Sequence, residues 1–156
     1  MKGHPEVIEA LKKILTNELT SINQYFLHAR MCKDWGYGKI GDKFHKESID
    51  EMKHAKELID RILFLEGIPN MQRLHLLKIG ETVKKQLEND LGLEKKAIAD
   101  LKDSIEICIK ASDFASKELL ESILVSEEEH TDWIESQLHA IEEIGEENFL
   151  SQQLEV

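Results

Sequence analysis

A pattern of carboxylates and histidine occurs twice in this chain at one fixed offset. Glu18 is followed by Glu51-Met52-Lys53-His54, and Glu94 by Glu127-Glu128-Glu129-His130. All three members of the first set shift by 76 positions to give the second. One Glu plus one Glu-x-x-His, used twice, is the ligand set by which a four-helix bundle holds two metal ions in its core. Glu and His three positions apart share a face at helical period, so the pattern requires helices that converge on one point.

The punctuation along the chain agrees. Pro5 suits a first helical position, with its fixed φ and no amide hydrogen to lose. A first helix runs to about Trp35 and stops at Gly36 and Gly38, read as breakers. A second starts near Ile40 and ends before Gly67-Ile68-Pro69. A long connection follows, from about Glu66 to Glu81. The third helix runs from about Thr82 to Ala111, and Ser112 or Asp113 can cap a fourth that ends at Gly145. A short fifth helix is expected over 146–153. Short links make helices one and two antiparallel neighbours, and likewise three and four. The long link crosses the bundle, giving two helical hairpins joined by one crossover. The repeat then means that the hairpins are pseudo-equivalent about an approximate two-fold axis. Beyond the ligands it is faint: Leu58 matches Ile134 and Ile62 matches Leu138.

Each ligand sits on an apolar stripe. Leu11, Leu15, Ile22, Tyr25 and Ala29 flank Glu18, while Phe44, Leu58, Ile62 and Leu65 mark the face of Glu51 and His54. Leu87, Leu91, Ile98 and Leu101 enclose Glu94, and Leu120, Ile123, Ile134 and Leu138 enclose Glu127 and His130. A buried unpaired carboxylate costs several kcal/mol, and four together also repel. Two divalent ions carry charge equal and opposite to the four glutamates. Oxygen donors with one imidazole per ion suit iron(II) or manganese. In this arrangement Glu51 and Glu127 bridge, Glu18 and His54 complete one ion, and Glu94 and His130 complete the other.

Bulk properties exclude several classes. A net charge of −11 argues against nucleic acid and anionic membranes as partners. No apolar run approaches the roughly 20 residues of a membrane helix, and the N-terminus shows no signal-peptide core. Cys32 and Cys108 form no CxxC and read as reduced, packed residues of a reducing compartment.

The segments Asn17-Glu18-Leu19, Ile22-Asn23-Gln24-Tyr25-Phe26-Leu27-His28-Ala29-Arg30, Glu47-Ser48-Ile49-Asp50-Glu51-Met52-Lys53-His54-Ala55 and Arg61-Ile62-Leu63-Phe64-Leu65-Glu66-Gly67 closely resemble bacterioferritins, and the match extends over essentially the whole chain. The resemblance implies an all-α, ferritin-like four-helix bundle with a short C-terminal fifth helix, as a single domain over 1–156. It further implies a cytoplasmic shell of 24 subunits that stores iron, homo-oligomeric or mixed with a second ferritin subunit. Each subunit would carry a di-iron ferroxidase centre of Glu18, Glu51, His54, Glu94, Glu127 and His130, using dioxygen or peroxide. Haem b would lie at two-fold subunit interfaces with Met52 as axial ligand, and Met31 and Trp35 would help line its pocket. A small ferredoxin would supply electrons for iron release. Tyr25, seven residues after Glu18, is placed to hydrogen-bond a ligand carboxylate, to take part in electron transfer or simply to pack. One departure stands out: Lys46 replaces a histidine that some members carry, and His45 is rotated by about 100° from that position. This puts an inner-surface iron site using Asp50 in doubt.

Two other readings use the same ligands. One is a monomeric or dimeric di-iron oxygenase or peroxide-reducing enzyme. The absence of a CxxC pair and the presence of the fifth helix speak against it. The other is a structural subunit without chemistry, which would be expected to have lost ligands; none is lost here.

Overall fold

The computed structural model describes residues 1–155. Four long helices, α1 (Pro5–Asp34), α2 (Gly38–Phe64), α3 (Val83–Lys110) and α4 (Phe114–Ile144), precede a short α5 (Glu146–Ser151). α1 packs on α2 and α3 on α4, and the α1–α3 contact joins the two hairpins. Pro5 opens α1, as its geometry requires. Gly36 leaves α1 at φ +88°, a conformation that glycine takes without strain. Gly38 is not a breaker: it is the first residue of α2, and the turn is complete in the three residues before it, 35–37. Thr82 caps α3 by accepting from the Lys85 amide, and Asp113, not Ser112, caps α4 by accepting from the Ser116 amide. Ser112 instead takes the left-handed turn position, at φ 57°.

The apolar interior falls into two clusters. One gathers Val7, Leu11, Leu15, Leu58, Ile62, Leu101, Leu120 and Ile123. The other gathers Tyr25, Ala29, Phe44, Leu87, Ile134, Ile141 and Phe149. Reading along each long helix, the switch from one cluster to the other falls at the repeated carboxylates. Glu18 lies between Leu15 and Tyr25, Glu51 between Phe44 and Leu58, Glu94 between Leu87 and Leu101, and Glu127 between Ile123 and Ile134. The bundle is therefore an apolar layer, a polar layer and an apolar layer stacked along its axis. Two well-packed ends hold the polar layer in place between them.

The crossover, residues 65–82, contains no regular secondary structure, so its backbone groups need other partners. α1 supplies them. Thr20, Gln24 and His28, spaced four apart on one face, accept from the amides of His75, Lys78 and Gly80 at 3.0, 2.9 and 3.0 Å. Among the described residues, no helix is long and apolar enough to cross a membrane.

Candidate metal centre

Glu18, Glu51, Glu94 and Glu127 are each at most 1% exposed. His54 Nδ1 lies 3.6 Å from Glu18 and 3.4 Å from both Glu51 and Glu127. His130 Nδ1 lies 3.5 Å from Glu51, 3.6 Å from Glu94 and 3.7 Å from Glu127. Two ligand groups result, Glu18–Glu51–His54–Glu127 and Glu51–Glu94–Glu127–His130, with the donor atoms of each within 4.8 Å of one another. Glu51 and Glu127 belong to both groups. All six residues singled out by the repeat come together.

The donor atoms are left free for a ligand. Both oxygens of Glu18, Glu51 and Glu127, Oε2 of Glu94 and Nδ1 of both histidines are buried without a hydrogen-bond partner. Such groups are rare in folded proteins because each unmade bond costs about 1–3 kcal/mol. Their number here fits a pair of cations.

Without metal the site stores protons. Burial, then the charges of Glu18 and Glu127, push Glu51 well above the ordinary carboxylate range. Burial and the facing Glu127 do the same to Glu94. For His54 burial acts downward, but Glu127 and Glu18 outweigh it and raise it to about 10. For His130 burial is outweighed by Glu47 and Glu94, which raise it to about 11.

Tyr25 donates to Glu94 Oε1 at 2.6 Å. Burial, followed by the charge of Glu94, pushes its phenol pKa well up, so it stays a donor. Met52 is 51% exposed, beside the carboxylates in sequence but turned away from them. His45, seven residues earlier on the same face, has its ring 6.4 Å from that of Phe26, itself 50% exposed. Trp35 is also exposed, and the Met31 thioether receives the Gln86 amide at 3.8 Å. Cys32 and Cys108 are free and buried.

Three acidic residues near these groups lie outside the repeat. Glu47, one turn before Glu51, binds the outer nitrogen of His130 and takes Lys43 at 2.9 Å. Burial acts to raise Glu47, yet His130 and Lys43 hold it below the ordinary value. Asp50 lies 3.4 Å from the same nitrogen, forming with Glu47 and His130 a third group of donors in which neither His45 nor Lys46 takes part. Asp90, one turn before Glu94, receives Gln24 and His28, each at 2.9 Å. The Gly80 amide donates to His28 Nε2, so the ring proton sits on Nδ1 and points at Asp90.

Comparison with known proteins supports the same grouping. Residues 8–144 match the family model described as a ferritin-like domain. The chain is 49% identical to the bacterioferritin of Brucella melitensis, over 96% of its own length and 92% of the relative's. It is 44% identical to that of Mycobacterium leprae, over 97% and 96% of the two lengths. Against that of Streptomyces coelicolor it is 45% identical, over 99% and 93%.

Proposed function

The chain belongs to the ferritin-like family and, within it, to the bacterioferritins; from that premise we propose that it stores iron and oxidises Fe(II) at the carboxylate layer. The observation that carries this reading is the pair of ligand groups sharing Glu51 and Glu127. Fe(II) is the substrate. One ion takes Glu18 and His54, the other Glu94 and His130, with Glu51 and Glu127 between them. The protons held on Glu51, Glu94 and the two histidines leave as the ions enter, and the carboxylates then neutralise the charge of both metals. Two Fe(II) held side by side give up one electron each to the same dioxygen or peroxide molecule. Tyr25 fixes Glu94 Oε1 throughout, which leaves Oε2 to the metal.

The exposed apolar side chains support assembly. Leu76 is 91% exposed, Ile68 80% and Phe26 50%, apolar side chains that packing against a second chain would bury. The proposed assembly is the cytoplasmic shell of 24 subunits, alone or mixed with a second ferritin subunit, that encloses the ferric mineral. Met52, an exposed thioether on α2, would hold haem b between two chains together with the same residue of the second copy. When bound, the haem supplies a one-electron carrier, which a small ferredoxin would reduce during iron release.

The test is rapid mixing of air with protein carrying two Fe(II) per chain. Glu18→Ala combined with Glu127→Ala should abolish the fast oxidation phase while the assembly keeps its mass. An unchanged rate rejects the site, and a parent protein that sediments near the 18.0 kDa chain mass rejects storage. Met52→Leu should remove the haem Soret band and leave oxidation intact; a persisting band would assign the ligand elsewhere.

A further inference from the structure

Away from the carboxylate layer, α1, the crossover and α3 enclose a cleft of about 390 Å³ whose lining includes Lys12, Lys13, Arg73, His75 and Lys96. In a chain of net charge −11 this is a local reversal of sign. The carboxylates nearby do not cancel it. Glu9 meets Lys12 at 3.4 Å in an exposed pair, and Asp100 takes both Lys13 at 3.2 Å and Lys96 at 2.7 Å. Four cations thus face two acids that are already engaged. Among the described residues, Arg73 has no carboxylate within ion-pair distance.

The floor of the cleft is fixed by hydrogen bonds. Asn17 Nδ2 donates to Asp100 at 2.9 Å, so Asn17 Oδ1 is an acceptor. His75 Nε2 donates to it at 3.0 Å, and the His75 amide donates to Thr20 at 3.0 Å. Burial, then the positive charge of Lys96, hold the His75 pKa below its usual value. Lys96 and Arg73 both act on the His75 ring from the cleft side, with Asp100 opposing them.

The chemistry of the lining narrows the anion. A guanidinium presents paired N–H groups to oxygen pairs, and ammoniums add compact point charges, a combination suited to a doubly charged tetrahedral oxyanion. The concave shape, bounded on three sides by different elements, suits a small molecule better than the face of an acidic protein. We propose that this cleft binds a phosphate group, with Arg73 and Lys12 as its leading cations and Lys13 and Lys96 shared with Asp100.

The test is calorimetric titration of the full chain at low salt. Iron is removed first, so that ferric ion cannot bind the phosphate. Inorganic phosphate and AMP are the two probes. The expected result is one saturable site per chain, weakened at least ~10-fold in Arg73→Gln/Lys12→Gln, a change of about 1.4 kcal/mol. Helical content and Fe(II) oxidation should be unchanged in that variant. Saturation by phosphate but not AMP identifies the free anion as ligand; AMP binding as tightly as phosphate identifies a phosphate monoester; either upholds the site. Failure of both probes to saturate below roughly 10 mM, or equal affinity in the folded double variant, overturns it.

Discussion

At the residue scale the centre is a compromise between stability and chemistry, and Glu51 shows the terms. It is fully buried, faces three other carboxylates, and both its oxygens lack hydrogen-bond partners. Burial and the neighbouring carboxylates favour its protonated form in the metal-free protein, which lessens that cost. Glu51→Gln imitates this neutral form in shape and charge. Its metal-free stability should therefore fall within about 0.5 kcal/mol of the parent. The amide cannot become the anion that bridges two cations. The variant should lose most of the stabilisation given by a redox-silent divalent ion such as Zn²⁺, and should oxidise Fe(II) at least ~100-fold more slowly, since about 2.7 kcal/mol of metal stabilisation is forfeited. Thermal melts with and without Zn²⁺ decide the matter. A large loss of stability in the metal-free variant would mean that Glu51 is charged there and held by something other than metal.

At the scale of elements the crossover is the least regular part of the fold and depends on single contacts. A Cβ at Gly80 would stand 2.3 Å from the Gln86 amide nitrogen and 2.6 Å from its Cα, both backbone atoms that cannot turn aside. Gly92, within α3, has nothing within 4 Å of such a Cβ. Gly80→Ala should therefore cost more than about 2 kcal/mol and speed amide exchange at Lys78 and Gly80, because His28 and Gln24 lose their donors. Gly92→Ala should stabilise by up to about 1 kcal/mol through helix propensity alone. Exchange and denaturant melts of the pair would separate the two, and equal effects would contradict this account. The same contrast explains what could be read from the chain. The helices, their hairpin order and the six convergent carboxylate and imidazole groups follow from helical period and an exact repeat, which are local or self-referential signals. The ladder of Thr20, Gln24 and His28 onto the crossover pairs side chains with amides more than 50 residues away, and no period announces it. Glu47 and Asp90 lie one turn from repeated ligands, a spacing that could have drawn attention. Their repeat-equivalent positions are Ile123 and Ile14, so a search built on the repeat passes over them.

At the scale of the whole molecule, the stacked apolar, polar and apolar layers couple the stability of the bundle to protons and metal at its middle. His54 and His130 are raised to about 10 and about 11 from an ordinary 6.5. A group whose folded pKa lies above its unfolded value contributes fully below the unfolded value and loses that contribution as pH rises through the folded one. Glu51 and Glu94 are also raised, so their contribution has the same sign and is lost as pH climbs above the ordinary carboxylate range. Opposing groups act elsewhere on the pH scale. Asp100 and Asp113, raised by burial but lowered further by the hydrogen bonds and charges around them, lose their contribution only in acid. His75, with its lowered pKa, has made its full contribution by about pH 7. Between about pH 7 and 8.5 the centre therefore dominates, and the metal-free protein should melt at progressively lower temperature. Metal displaces the same protons, so the rise in melting temperature on adding Zn²⁺ should grow over that window. Proton uptake by a weak indicator buffer during Zn²⁺ titration gives an independent check, with more than one proton released per chain near pH 7. A metal-free melting temperature that stays flat from pH 7 to 8.5, with no proton release on metal binding, would mean that the carboxylate layer is not the proton store its burial requires.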